Sequence, residues 1–272
     1  MDINRIFHSE IVWNVRVFDV FTTLHILCYN GYSLNGEMMN VKRHTLAAVG
    51  ILLVLLIAAG IYLTGGYGAK DDAIAAMQSG VSWAGHTAFV PQEDIVGGLI
   101  FYPGGLVDHR AYAPLMQALK ERSVLSLLCE MPLDLAVLDM NAADGMQALY
   151  PDVNRWLIGG HSLGGAMAAS YLVEHANEYE GLVLLGAYSV ADLSRTDVGV
   201  LSVYGTQDGV LNRQKYEECL VNYPQDFTEV VIDGGCHAYF GDYGAQKGDG
   251  QPSVSLQEQL EITADAIAAM LK

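Results

Sequence analysis

Residues 155–166 read RWLIGGHSLGGA and contain the pentapeptide Gly160-His161-Ser162-Leu163-Gly164, which fits the pattern G-x-S-x-G. The apolar run Arg155–Gly159 before it predicts a buried strand, and the stretch Gly164–His175 after it has helical spacing. A sharp strand-to-helix turn of this kind exposes the serine hydroxyl and aims the free N–H groups of the helix N-terminus toward it. We therefore predict that Ser162 is a catalytic nucleophile.

A serine hydroxyl is a weak nucleophile without a general base, and His237 is the candidate base. It lies in Gly234-Gly235-Cys236-His237, just after the predicted strand Phe227–Ile232. Asp208 follows the predicted strand Gly199–Tyr204 and is predicted to orient the imidazole. The chain order Ser162, Asp208, His237 is the order in which nucleophile, acid and base follow successive strands of such a sheet. Asp233, four residues before His237, is the rival acid.

The remaining histidines that we considered are predicted to be structural. His161 precedes the serine, and its place in the turn should point it away from the hydroxyl and pack it against the sheet edge. His86 and His109 fall on predicted loops and His175 on a predicted helix, where surface exposure or packing is expected.

An acyl transfer also needs N–H donors for the oxygen that becomes negatively charged. The first is predicted to be the backbone amide of Leu163, the residue after the nucleophile. The second should come from the glycine-containing loop Gly104-Gly105-Leu106, which follows the predicted strand Ile95–Tyr102. We favour Gly105, with Leu106 as the alternative.

Residues 70–272 alternate between apolar strand patterns and helical patterns. Besides the segments already named, Ser123–Cys129 and Gly181–Leu185 predict strands, and Tyr112–Glu121 and Gln257–Leu271 predict helices. Short apolar strands separated by helices are typical of a mostly parallel sheet that is covered on both faces. No internal repeat or low-complexity linker interrupts this stretch, so we predict one α/β domain.

The stretches FYPGGLVDHRAYAPL, EMPLDLAVL, GGHSLGGAMAA and HAYFGDYGAQKGDG give the chain a resemblance to the α/β-hydrolase superfamily. Within it, the chain resembles bacterial membrane-anchored or secreted hydrolases that are distantly similar to dienelactone hydrolase. The resemblance covers about residues 70–272 and implies an α/β-hydrolase fold, a triad of Ser162, Asp208 and His237, and no cofactor. Cys236 departs from the group, in which asparagine is expected at this position, and this could change how the histidine loop is held.

The N-terminal part contains an uncharged apolar run of 18 residues, Leu46–Leu63, which is preceded by Lys42 and Arg43 with only His44 and Thr45 between. As a helix it would be about 27 Å long, close to the thickness of a bilayer core. We predict a single transmembrane signal anchor over residues 45–66, with cleavage and secretion as the alternative. The positive charges before the span predict that residues 70–272 lie outside the cytoplasm.

We predict a separate N-terminal segment over residues 1–44, of which residues 1–37 fit neither an anchor nor a globular domain. Ile11–Leu27 is apolar but contains Arg16 and Asp19, which makes a second span improbable. Translation from Met38 or Met39 would give a short basic start followed by the apolar run, which is a typical targeting layout.

The amino-acid composition argues against two classes of ligand, nucleic acids and metal ions. The chain has 14 Lys and Arg residues against 31 Asp and Glu residues, a formal net charge of −17, which argues against nucleic acid as a partner. Its four cysteines are far apart and predict no structural zinc site. The residues around Asp242 and Asp249 are too irregular for a calcium loop, and we predict instead a rigid, turn-rich loop that fixes His237. We predict no metal.

These observations predict a serine hydrolase that cleaves a small-molecule acyl ester through an acyl-enzyme. An acyltransferase with the same triad, in which an alcohol replaces water, is one alternative. A non-catalytic surface binding module on this fold is another, although it would not require all three triad residues.

Overall fold

The computed structural model describes residues 36–83, 85–92 and 94–272, with side chains for residues 46–60 and from residue 65 onward. The chain divides into two compact units, Met1–Thr64 and Gly65–Lys272. Of the predicted N-terminal segment 1–44, residues 1–35 lie outside the described residues. The structure does not test the predicted translation start at Met38 or Met39.

Helix α1 spans Gly36–Gly65, and the large apolar side chains described on it are exposed. Within the described part of the chain, no helix combines the length and the apolar character that crossing a membrane requires. The anchor predicted over residues 45–66 includes side chains that lie outside the described residues, and it stays a prediction.

The second unit is built on one eight-stranded sheet with the order β1-β2-β4-β3-β5-β6-β7-β8. The strands are β1 (Val81–Trp83), β2 (His86–Phe89), β3 (Gly97–Tyr102), β4 (Val124–Cys129), β5 (Trp156–His161), β6 (Gly181–Leu185), β7 (Gly199–Gly205) and β8 (Phe227–Ile232). From β4 to β8 every neighbouring pair is parallel, whereas β1 and β2 join antiparallel at one edge. The carboxyl ends of the parallel strands therefore meet at one edge of the sheet.

Helices cover both faces of the sheet. They are α2 (Asp71–Met77), α3 (Ala113–Lys120), α4 (Leu163–His175), α5 (Arg213–Cys219) and α6 (Leu256–Ala269). Along β3, Leu99 and Phe101 join a core that includes buried residues of α3 and α6. Ile100 and Tyr102 join a second core that includes buried residues of α4. This alternation is the two-residue period of a strand that is buried on both faces.

The observed elements agree with the predicted α/β architecture to within about two residues at each boundary of the named strands. Strand β5 continues to His161, two residues beyond the prediction, because His161 still pairs with Leu185 of β6. His86 lies in strand β2, not on a loop as predicted. Strands this short, with histidine and threonine among their residues, give no clear alternating pattern, and only the pairing with β4 identifies β2 as a strand.

Helix α6 anchors the loop that follows β8. The Gln259 side chain is fully buried; its Oε1 accepts the Cys236 N–H at 3.0 Å, and its Nε2 donates to the Cys236 carbonyl at 2.8 Å. Both backbone polar groups of Cys236 are thus satisfied by one side chain.

We expect Gln259→Ala to destabilise the domain, because it leaves two buried backbone groups without partners at about 1–3 kcal/mol each. Urea unfolding followed by tryptophan fluorescence should show a lower midpoint with an unchanged slope. Gln257→Ala is the matched control on the same helix, since Gln257 bonds only the exposed Glu261 side chain. Equal stability of the two variants would contradict this role of Gln259.

Candidate active site

Ser162 occupies the turn between β5 and α4. Its backbone angles are φ 52° and ψ −121°, a sparsely populated region for a residue with a side chain. The close packing of the turn requires glycine next to it, because a Cβ atom at Gly164 would collide with the carbonyl oxygens of Tyr102 and Pro103. Ser162 itself is only half-buried, so its hydroxyl group lies at an accessible position.

Asp208 and His237 form a buried pair at the carboxyl ends of β7 and β8. His237 Nδ1 lies 2.9 Å from Asp208 Oδ2, and both side chains are 1% exposed. Asp208 Oδ1 accepts the N–H groups of Val210 and Leu211 at 2.9 and 2.8 Å. A carboxylate can only accept here, so Nδ1 carries the proton and Nε2 is left with a free lone pair. Among the described residues, Nε2 has no hydrogen-bond partner.

The rival acid lies elsewhere. Asp233 is exposed, and its Oδ1 accepts a hydrogen bond from the Thr206 hydroxyl at 3.2 Å. Of the two candidate acids, the structure brings Asp208 to the imidazole. His175 pairs with Glu178 at the end of α4, and His109 lies in a short 3-10 turn beside Asp108.

Asp249 supports the histidine loop. It lies in the rigid loop that was predicted to fix His237, but sequence reasoning gave the Asp249 side chain no role of its own. Its carboxylate accepts the N–H groups of His237 and Ala238 at 3.1 and 2.8 Å, and also those of Gly209 and Gly250. Burial alone would raise the pKa of Asp249, but these four bonds lower it below its usual value. One carboxylate therefore ties the segment after Asp208 to the segment that carries His237.

Gly105, one of the two predicted oxyanion donors, packs against the side chain of Leu163, the other. A Cβ atom on Gly105 would be 2.9 Å from Leu163 Cδ2. The Leu106 N–H is engaged by the Asp134 carbonyl at 2.7 Å, and the Gly104 N–H by the Tyr112 hydroxyl at 2.9 Å. Of these three loop amides, only that of Gly105 has no partner in the described part of the chain. The Leu163 amide begins α4 and therefore has no acceptor within the helix.

His161 was predicted to pack against the sheet edge, but its ring lies beside His237. It ends the interior strand β5, is 1% exposed, and has its ring centroid 4.4 Å from that of His237. Its ring also contacts Tyr112 and Phe240.

Gly186, at the end of β6, lies directly beside the Asp208–His237 pair. Its φ is +52°, and a Cβ atom there would lie 2.8 Å from His237 Nδ1 and 3.1 Å from Asp208 Oδ2. No sequence motif marks this glycine, because its contacts come from the loops that follow strands β7 and β8.

We expect Gly186→Ala to reduce turnover by about 100-fold or more, because displacing the imidazole by about 1 Å costs that much. Gly85→Ala is the control, since Gly85 also has a positive φ of 84° but has no atom near its would-be Cβ. Both variants should lose about 1 kcal/mol of stability from backbone strain. Steady-state kinetics reports the loss of turnover, and thermal melts report the loss of stability. A Gly186→Ala enzyme with wild-type turnover would contradict the prediction that this Cβ displaces the His237 ring.

A family model described as the alpha/beta hydrolase family matches residues 98–261. No curated protein sequence gives a significant match.

Several solved structures share the fold. Est1E from Butyrivibrio proteoclasticus has a TM-score of 0.53 at 13% identity, with 68% of this chain and 93% of that chain covered. An esterase domain from Rhodothermus marinus has a TM-score of 0.51 at 15% identity, covering 68% and 90%. A monoglyceride lipase from Saccharomyces cerevisiae has a TM-score of 0.54 at 10% identity, covering 71% and 94%. Because the family model spans more than half of the chain, this protein belongs to the alpha/beta hydrolase family.

Proposed function

We propose that the protein is a serine hydrolase that cleaves carboxylic esters through an acyl-enzyme. The observation that carries the proposal is the buried Asp208–His237 pair at the same sheet edge as the strained turn of Ser162. In the part of the chain that the structure describes, His237 Nε2 has no hydrogen-bond partner. A base with a free lone pair and a nucleophile on a sharp turn are the parts that acyl transfer requires.

In the proposed reaction, Ser162 Oγ attacks the ester carbonyl carbon while His237 Nε2 takes the hydroxyl proton. The carbonyl oxygen becomes an oxyanion, which the N–H groups of Leu163 and Gly105 stabilise. The intermediate collapses to the acyl-enzyme, and the leaving alcohol takes the proton from His237. A water molecule then attacks the acyl-enzyme carbonyl while His237 takes its proton, and His237 returns a proton to Ser162 as the carboxylic acid leaves. Asp208 stays ionised and stabilises the imidazolium in both halves.

The surroundings of the oxyanion loop favour a substrate with an apolar acyl group. The segment after β4 approaches this loop through Leu135, and the Asp134 carbonyl accepts the Leu106 N–H. On the same segment, Leu133, Val137 and Leu138 are 54–58% exposed. Exposed aliphatic side chains beside a reaction centre are able to bury hydrocarbon of the substrate. Esters are also the substrate class implied by the names of the esterase domain and the lipase with similar folds.

The assignment of the triad predicts how the losses of activity combine when its residues are replaced singly and together. Ser162→Ala should abolish labelling by a fluorophosphonate probe and lower ester hydrolysis by about 10³–10⁶-fold. His237→Ala should cost about as much, and Asp208→Ala somewhat less, because Asp208 only orients and stabilises the imidazole. The double change Ser162→Ala with His237→Ala should be hardly worse than either alone, since the residues act as one unit.

Asp233→Ala is the control for the acid, because Asp233 is exposed and bonds Thr206. Activity lost in Asp233→Ala but kept in Asp208→Ala would overturn the assignment of the acid. If folded Ser162→Ala protein kept full turnover, the hydrolase proposal itself would fail.

We also propose that residues 45–66 anchor the protein in a membrane, with residues 70–272 outside the cytoplasm. The support is the uncharged run Leu46–Leu63 and the exposure of the large apolar side chains described on α1. In water, such a surface would be strongly unfavourable, whereas lipid accommodates it.

The full-length chain should accordingly sediment with membranes and resist a carbonate wash. Leu53→Arg combined with Leu56→Arg should release it, because each arginine at the centre of a span costs about 2.5–3.5 kcal/mol on insertion. Full-length wild-type protein in the high-speed supernatant without detergent would contradict the anchor.

A further inference from the structure

Tyr112 is a buried link between the oxyanion loop and the strand that carries the nucleophile. The Gly104 N–H donates to its hydroxyl oxygen at 2.9 Å, and the same oxygen lies 2.8 Å from His161 Nδ1. Tyr112 is 0% exposed and His161 is 1% exposed, so these bonds are shielded from water. His161 is in turn the residue directly before Ser162.

The direction of these bonds defines the form of His161. The Gly104 N–H can only donate, so the tyrosine hydroxyl accepts there and its own proton is available for His161 Nδ1. If the oxygen accepted from both groups, its own buried proton would be left without an acceptor, so we assign His161 Nδ1 as the acceptor and place the proton of a neutral His161 on Nε2. Burial and the neighbouring His237 hold the pKa of His161 well below its usual value, which agrees with a neutral ring.

At one end, this chain of bonds holds the loop that presents the Gly105 amide. A Cβ atom on Gly104 would lie 2.8 Å from both Tyr112 Oη and His161 Nδ1, so the loop packs directly on the hydrogen bond. Beyond Gly105, the Leu106 N–H donates to the Asp134 carbonyl. The peptide groups on both sides of the Gly105 amide are thus fixed, which two adjacent glycines would not achieve by themselves.

At the other end, the His161 ring packs against His237. The centroids are 4.4 Å apart, with Phe240 at 5.5 Å and Tyr243 at 6.4 Å from His161. The titratable groups around His161 are therefore Tyr112, Tyr243 and His237, the last paired with Asp208. His161 Nε2 is buried and makes no hydrogen bond of full geometry among the described residues, although the nearby His237 backbone partly opposes the lowering of the His161 pKa. A neutral ring at this place adds no positive charge beside the imidazolium that forms on His237 during turnover.

We propose that His161 is a positioning residue of the active site, which as a neutral imidazole fixes the oxyanion loop through Tyr112 and supports the ring of His237. The proposal rests on the proposed serine hydrolase function. It differs from a packing role because its effect should fall on the transition state, where the oxyanion exists, and hardly on the bound substrate.

The test compares Tyr112→Phe and His161→Leu in the full-length enzyme with a soluble ester. Each should lower kcat by about 10- to 100-fold, less than the loss of an oxyanion donor, with KM changed by less than about threefold. Binding of a trifluoromethyl ketone, which forms an oxyanion on Ser162, should weaken by the same factor as kcat/KM. The double variant should be no worse than the poorer single variant, because both break one chain of bonds.

His161→Asn should recover most of the activity lost in His161→Leu, since its side-chain oxygen can accept from Tyr112 near the position of Nδ1. Tyr216→Phe is the matched control: Tyr216 is 1% exposed and its hydroxyl also has two partners, Ser202 and Glu229, away from the triad. Its melting temperature should fall, while kcat and ketone binding should stay within about twofold of wild type.

The outcomes separate the two proposals. If wild-type protein is not labelled by a fluorophosphonate, the serine hydrolase function fails. If it is labelled and active, but folded Tyr112→Phe and His161→Leu match wild type in kcat and in ketone binding, the positioning role alone is overturned. A rise in KM at unchanged kcat, or no recovery in a folded His161→Asn variant, would also overturn it.

Discussion

The backbone turn at Ser162 is the constraint on which the rest of the candidate active site depends. A serine at φ 52° costs roughly 1–3 kcal/mol relative to an ordinary conformation, and it persists only where its surroundings enforce it. Here the Ser162 N–H is held by the Leu185 carbonyl of β6 at 2.9 Å, and α4 begins against the end of β3. Sheet pairing and close helix packing thus maintain the strain, and the same packing brings the Leu163 amide to the oxyanion loop.

The histidine loop needs support of a different kind, because it follows β8 at the edge of the sheet. Strand β8 pairs only with β7, and most of its residues are exposed or half-buried. The loop is held instead by side chains from outside the sheet. Gln259 of α6 satisfies both backbone groups of Cys236, and Asp249 binds the amides of His237 and Ala238. The Cys236 side chain is buried, and burial together with the nearby Asp249 raises the pKa of its thiol to about 12.

The sequence by itself determined the architecture and the set of candidate reactive groups. Apolar strands such as Gly181–Leu185 are buried on both faces and therefore read as continuous hydrophobic runs, which is why their boundaries were predicted closely. G-x-S-x-G located Ser162 because the turn requires small neighbours at fixed spacing. Asp208 and His237 were found because polar residues directly after parallel strands converge at one edge of the sheet. Antiparallel β1 and β2 carry no such pattern and were not predicted.

Only the tertiary structure decided how these groups are held. In the folded chain, Asp208 bonds His237, whereas Asp233 bonds Thr206. The Leu106 amide donates to the Asp134 carbonyl, whereas the Gly105 amide has no partner in the described part of the chain. Gly186, Gln259 and the pair Tyr112–His161 carry no local signal, since the contacts described above for them reach 8 to 51 residues along the chain. Local patterns report which residues face a core, because burial follows the period of a strand or helix. Hydrogen bonds between distant loops depend on the closure of the whole sheet, and no local period encodes them.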